Sequence, residues 1–418
     1  MRGVWGRETA GRFARVADPG VGEAVGALFS GQHWLDPYPV YDAIRAYGPL
    51  VRVDDRFWVA TGYAAVDAIL RDPRMLVPDR ELAGLQAVDG AEDAVLGDSM
   101  LRANPPDHTR MRRLAAGAFT PRRIEAMRAA VTDQATTLAR YLAHLAKRGD
   151  AFDFVTEFAY PLPIRVICTL LGVPPTDQHW FREQAHALTE VLEPALMVTD
   201  VDEAVRARSR LGLYFTDLVR ARRSEPAEDL VTALTRAHDA DGSTLSASEL
   251  IANLVLLLVA GFETTTNLLG NGLAVLLERP DLAAALRANP ALAPSFVEEV
   301  LRWDSPVQLT TRWCREPVEI HGVRLEPYSQ VLVLLGAGNR DPARYPDPHV
   351  FDPTREAIAP LSFGAGGHYC LGAALARMEA QVAFPLLVQA LPRLALVAPP
   401  LRRPRLTLRG FVEIPVTG

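Results

Sequence analysis

Cys370 stands in a setting that neither Cys168 nor Cys314 shares. It follows Phe363, Gly364, Ala365, Gly366, Gly367, His368 and Tyr369, precedes Gly372, and leads into a stretch with helical spacing that continues through Leu386. Glycines let backbone approach a flat ligand or take positive φ. A cysteine just before a helix N-terminus meets positive dipole charge and unbonded N–H groups, which favour the thiolate. A thiolate binds a soft or borderline metal such as iron. Taken alone, the pattern also suits a small buried cysteine in a turn.

A second chemical group lies in a long apolar stretch. Ser246-Ala247-Ser248-Glu249 is a capping box, and no proline follows until Pro280, so the spacing predicts a helix from Ser246 to about Leu277. At ~1.5 Å per residue such a helix is about 50 Å long, and it is apolar nearly all round, hence central and buried. Its middle carries Gly261, Glu263, Thr264, Thr265, Thr266 and Asn267. Burying a carboxylate and several hydroxyls is costly unless they are used. Thr264 can return its hydroxyl to the carbonyl of Ala260, and alone it would read as a core threonine.

The rest of the chain must position these groups. Its 418 residues are 49% hydrophobic and 22% charged, enough for a large core and unlike a disordered chain. A net charge of −6 argues against a general nucleic-acid binder. The three cysteines are far apart, which excludes a disulfide framework or zinc ribbon and fits a reducing cytoplasm. Met1–Gly31 has no continuous apolar region, and the run Ile251–Phe262 is too short for a bilayer, so neither export nor membrane insertion is expected. Prolines punctuate helical stretches throughout, favouring one continuous domain over 1–418.

Period-two alternation is confined to a few places. Leu50–Val53 and Phe57–Ala60 read as a hairpin, Val318–Leu325 as two strands turning at His321-Gly322, Gln330–Leu335 as a further strand, and Leu406–Val416 as a closing one. The fold class is mainly α with a minor β portion (α+β), the β-rich parts near 49–63, 306–335 and 400–418. Gly336-Ala337-Gly338 after a strand imitates a dinucleotide fingerprint, but Asp341-Pro342 occupies the place of the third glycine. Phosphate-loop, zincin and nucleophile-elbow motifs are missing from the sequence.

The segment Phe363–Gly372 resembles the F-x-x-G-x-H-x-C-x-G loop of the cytochrome P-450 family, and other family elements occur in the right order. Glu299-Val300-Leu301-Arg302 is similar to the E-x-x-R element, and Ala260–Thr265 to the oxygen-binding element. Asn339–Pro342 through Phe351–Arg355 resembles the meander, and His108–Arg113 the first haem-contacting helix. The resemblance implies the cytochrome P-450 fold, with haem b (iron protoporphyrin IX) between the long central helix and the cysteine-loop helix. Cys370 would be the axial iron ligand. Ala260, Gly261, Phe363, Gly364 and Gly372 would border the haem, and His108, Arg112, Arg312 and His368 would pair with its propionates. Glu263 and Thr264 would steer protons to the oxygen being reduced. Glu299 and Arg302 would brace the meander and do no chemistry.

The implied activity is monooxygenation: one atom of O2 enters a mid-sized apolar organic molecule, by hydroxylation or epoxidation of a bacterial secondary metabolite of polyketide, terpene or peptide type. A peroxide-driven haem-thiolate peroxygenase and a non-catalytic haem-binding protein are the alternatives; the Glu263–Thr264 pair argues against the first. Substrate would be walled by the Arg80–Ala103 loop, the region Leu188–Met197, Asn253, Leu256, Val259, Val307, Gln308, Thr310 and Phe411, with Asn253, Gln308 and Thr310 as hydrogen-bond donors. Electrons would come from a ferredoxin and its reductase, docking near Arg110, Arg113, Arg122 and Arg123. A cytoplasmic monomer is expected.

Overall fold

The computed structural model describes residues 18–78, 95–193, 201–240 and 244–418. The expected pocket walls at 80–94 and 194–197 lie outside the described residues. The chain groups into two compact units built from alternating stretches: Met1–Pro78, Leu301–Cys370 and Arg403–Arg409 form one, and Asp79–Val300, Leu371–Arg402 and Gly410–Gly418 the other.

The first unit holds a five-stranded sheet in the order Leu50–Arg52, Phe57–Ala60, Gln330–Leu334, Leu309–Cys314, Met75–Leu76. Leu50–Arg52 and Phe57–Ala60 pair antiparallel, as their alternation predicts. Phe57–Ala60 then runs parallel to Gln330–Leu334, with Phe57 opposite Gln330, a long-range pairing that no local pattern encodes. The side hairpin Val318–Ile320 with Val323–Leu325 turns at His321 (φ 49°) and Gly322 (φ 76°). Two positive φ values in a two-residue turn match the right-handed twist of the strands. Val66, Ile69, Val331, Val333 and Leu361 fill the core beneath the sheet.

The imitation fingerprint has a packing role. After Gln330–Leu334 the chain forms the short helix Leu335–Asn339. A Cβ on Gly336 would meet the Gln308 amide oxygen at 2.2 Å, and one on Gly338 would press on Leu361. Asp341 accepts the Tyr63 N–H at 2.7 Å, satisfying a first-turn donor of helix Tyr63–Arg71.

The second unit is helical. Its central helix, Ala247–Glu278, is capped by Ser246 and Glu249 in the expected reciprocal box. By length and apolarity it meets the requirement for crossing a membrane, yet most of its apolar window is buried within the protein. It packs on helices Pro161–Leu171 and Ala373–Ala390, and the latter packs on Pro121–Lys147. Close approach depends on glycine: a Cβ on Gly272 would lie 2.2 Å from the Phe384 ring. Helix Ala373–Ala390 passes through Pro385 without ending, four residues beyond the sequence expectation. The predicted strand over 406–416 is broken. Within this unit, Phe411–Glu413 pairs with Leu401–Arg402, while Pro415–Thr417 joins Phe152–Asp153 and Ala395–Leu396.

Candidate haem-thiolate site

In the first unit the glycine loop is a set of turns that only its glycines permit. Gly364 (φ 68°, ψ −163°) and Gly366 (φ 66°) take positive φ, and a Cβ on Gly366 would lie 2.3 Å from the Leu70 carbonyl oxygen. The Tyr369 N–H donates to the Gly366 carbonyl at 3.1 Å, and the Cys370 N–H to the Phe363 carbonyl at 2.8 Å. Cys370 is thereby held exposed, whereas Cys168 and Cys314 are buried. Burial pushes those two thiols up, to about 12 and about 11 respectively, which leaves Cys370 as the cysteine suited to act as a thiolate. Gly372 is the N-cap of helix Ala373–Ala390, so the cysteine lies beside a helix N-terminus. Among the described residues no group of three or more His, Cys, Asp or Glu side chains could hold a bare ion. One sulfur donor suits an iron whose other ligands come from a macrocycle.

Arg312 tests whether haem fits. It lies on the strand Leu309–Cys314, is 5% exposed, and donates to the Thr311 carbonyl at 2.8 Å and Thr310 Oγ1 at 3.2 Å. Both acceptors are neutral, and burial lowers its pKa to about 10. A buried guanidinium in this state calls for an anion, and a haem propionate supplies one. His368, part-buried, ends the short turn Gly366–His368 on the approach to the cysteine.

The meander braces this loop. Arg302 is fully buried and donates to the carbonyls of Asn339 (3.1 Å), Pro348 (2.8 Å) and Val350 (3.0 Å). Asn339 accepts the Leu361 N–H at 2.7 Å and donates to Ser362 Oγ at 2.9 Å, fixing the residues just before the loop. Glu299 is likewise fully buried one turn earlier on helix Ala293–Trp303. Its neighbour Glu298, unremarked in the sequence, makes a two-pronged ion pair with Arg377 of the cysteine helix, at 2.6 and 3.0 Å.

In the second unit the central helix is buried from Ala252 to Val259 and again from Thr265 to Leu273, but between them Ala260 is exposed and Gly261 and Thr264 are part-exposed. Thr264 Oγ1 donates to the Ala260 carbonyl at 2.9 Å, as the spacing predicts, and the helix continues unbroken. Glu263 is 1% exposed. His108, buried, and Arg112, part-buried, are one turn apart on helix Asp107–Ala116.

Several of the expected residues have partners within the protein. The missing side chain of Gly261 makes room for Ile167, 2.8 Å from its would-be Cβ, so this glycine serves helix packing. Arg110, expected near a docking surface, binds Glu249 at 2.5 Å and the Thr244 carbonyl at 2.7 Å, and the partnership raises its pKa. Gln308 is 1% exposed and engaged by Tyr38 and the Ser305 carbonyl, so its amide serves the interior. Asn253 is engaged by Met100 and Glu249. Thr310 supports Arg312. Phe411 is core, lying 3.5 Å from the would-be Cβ of Gly270. Leu256 and Val259, expected pocket walls, belong to an apolar cluster, and Val307 is part-buried. Glu379 is a buried carboxyl in the cysteine helix that the sequence reading does not single out; its place on one helix face with Leu375 and Ala383 is the available signal.

A family model for Cytochrome P450 matches residues 21–410. The chain is 39% identical to the cytochrome P450 monooxygenase PikC of Streptomyces venezuelae, over 91% of each chain. It is 40% identical to 6-deoxyerythronolide B hydroxylase of Saccharopolyspora erythraea, covering 93% of this chain and 98% of that one. The crystal structure of P450BioI in complex with hexadec-9Z-enoic acid ligated acyl carrier protein matches with a TM-score of 0.83 at 35% identity, covering 93% of this chain and all of that one (100%). An exposed cysteine in a glycine loop and a buried arginine bonded to neutral oxygens therefore occur in a chain that matches these enzymes nearly end to end: it belongs to the cytochrome P450 family and is a haem-dependent monooxygenase.

Proposed function

We propose that this P450 is a cytoplasmic monomer that hydroxylates or epoxidises a mid-sized apolar secondary metabolite, with Cys370 as the axial thiolate. The carrying observation is the exposed Cys370, set by the Gly364 and Gly366 turns at the mouth of a helix. Haem, when bound, supplies the redox chemistry that activates dioxygen and transfers one of its atoms to a substrate C–H or C=C bond. The chain's part is to hold and feed that chemistry. The helix N-terminus beyond Gly372 tempers the charge on Cys370 Sγ. Arg312, His108, Arg112 and His368 receive the propionates. Thr264 Oγ1, bonded to the Ala260 carbonyl, keeps its own oxygen as an acceptor on the exposed stretch of the helix, where it can order a proton-bearing water. Glu263, one residue earlier, holds the proton to be relayed.

Similarity to a named hydroxylase of 6-deoxyerythronolide B supports a polyketide-type substrate, and the aliphatic Leu256 and Val259 fit an apolar one. Electrons are assigned to a ferredoxin and its reductase. The exposed Arg113, Arg122 and Arg123 are assigned as docking charges on their place at the surface alone; reversing all three should slow reduction and flatten its salt dependence. The proposal is tested by screening apolar metabolites for the low-to-high-spin shift, then comparing turnover with a ferredoxin system against hydrogen peroxide. Product with ferredoxin and reductase supports the reading; product with peroxide alone supports the peroxygenase, and haem binding with neither supports a carrier.

A further inference from the structure

The part-exposed stretch of the central helix is one end of a longer stripe. Residues seven apart on an α-helix are offset by only about 20°, so Asn253 and Ala260 share a face, with Leu256 between them and Thr264 beyond. Asn253 lies roughly 10 Å along the axis from Ala260. At that end the stripe is covered by the segment Val95–Ala103, whose Val95, Leu96 and Met100 are buried in the same apolar cluster as Leu256 and Val259.

Two side chains hold this segment down. Asn253, 1% exposed, accepts the Met100 N–H through Oδ1 at 3.0 Å. Its Nδ2 donates to the Glu249 carbonyl at 2.7 Å and reaches Met111 Sδ at 3.6 Å, on the helix that carries His108 and Arg112. At the other end, Arg208 of helix Val201–Ser224 donates Nε to the Val95 carbonyl at 3.0 Å. Gly212 leaves room for that guanidinium, which would lie 2.8 Å from a Cβ there. Between the two hooks the backbone closes on itself: the Ser99 N–H and hydroxyl both donate to the Leu96 carbonyl, at 3.0 and 2.6 Å. The segment is thus a compact turn whose backbone is bonded by side chains from two helices.

We propose that Asn253, together with Arg208, fixes Val95–Met100 as the far wall of the ligand site beside Ala260, making Asn253 a positioning residue for ligand selection and not a group that touches ligand. An amide suits this task because one side chain both accepts from the segment and donates to its own helix, with no charge to desolvate. The inference rests on the haem-thiolate reading only where ligand binding is the readout.

The test compares the wild-type holoenzyme with Asn253→Leu, Asn253→Asp and Arg208→Leu. Hydrogen exchange by mass spectrometry reads the segment directly. Soret-detected association and dissociation of 4-phenylimidazole, a nitrogen ligand of haem iron, reads the wall. Asn253→Leu and Arg208→Leu should each speed exchange across 95–103 by about fivefold or more, the effect of losing one buried hydrogen bond. They should also raise both azole rate constants, with exchange across 339–362 unmoved. Asn253→Asp retains an acceptor for the Met100 N–H and should lie nearer wild type in exchange. Unchanged exchange across 95–103, or faster exchange with unmoved azole rates, overturns the proposal. Should Asn253→Leu fail to fold, Arg208→Leu decides on the same criteria. A wild-type protein that gives no Soret shift with the azole would refute the haem reading, while the exchange data still judge the two hooks.

Discussion

Thr264, Thr265 and Thr266 all return their hydroxyls to the carbonyl four residues back, at 2.9, 3.3 and 3.0 Å. That bond therefore cannot distinguish Thr264; its part-exposure does, since its two neighbours are buried. Replacing Thr264 with alanine should divert electrons from product to released hydrogen peroxide. Replacing Glu263 with glutamine should slow product formation by about 10²-fold, the lower end of what positioned proton transfer contributes. Product and peroxide measured per NAD(P)H consumed separate the two effects, and full coupling in Thr264→Ala would remove the threonine from the account. Arg312 makes a different kind of prediction. Among the described residues its buried charge is bonded to neutral oxygens, so Arg312→Leu should lose haem to an acceptor apoprotein roughly ten- to a hundredfold faster, as expected for one charge-assisted hydrogen bond. An unchanged loss rate would deny it a propionate.

At the scale of elements, what could be read in the sequence follows a simple physical line. The capping box at Ser246, the helix it starts, and the two-residue turn at His321-Gly322 are decided by neighbours in the chain, and the structure has them where the pattern puts them. The parallel pairing of Phe57–Ala60 with Gln330–Leu334 and the splitting of the 406–416 strand depend on partners far away in sequence. The family resemblance makes pocket donors of Asn253 and Gln308. Their partners, Met100 and Tyr38, come from distant segments. Glu379 shows the converse. It is buried in the cysteine helix, and desolvation holds its carboxyl well above the ordinary 4.5. The folded state then keeps a proton that the unfolded chain loses above about pH 4.5, so this group's contribution to stability falls as pH rises toward the raised value. In Glu379→Gln that fall is abolished. The melting-temperature difference, variant minus wild type, should grow between pH 5 and 8; parallel curves would mean that the carboxyl is not protonated in the fold.

For the whole molecule, the residues proposed to serve the cofactor are drawn from both of its compact units. Cys370, Arg312 and His368 belong to the sheet-bearing unit, and Ala260, Glu263, Thr264, His108 and Arg112 to the helical one. The account requires all of them to serve a single cofactor, and it depends most on the sulfur. The most direct measurement is the optical spectrum of the reduced, carbon-monoxide-bound protein, for wild type and for Cys370→Ser and Cys370→His. A red-shifted, thiolate-type Soret band in the wild type that disappears in both variants is the predicted result. A wild-type band at the position typical of nitrogen ligation, or a thiolate-type band that survives replacement of Cys370, would contradict the account.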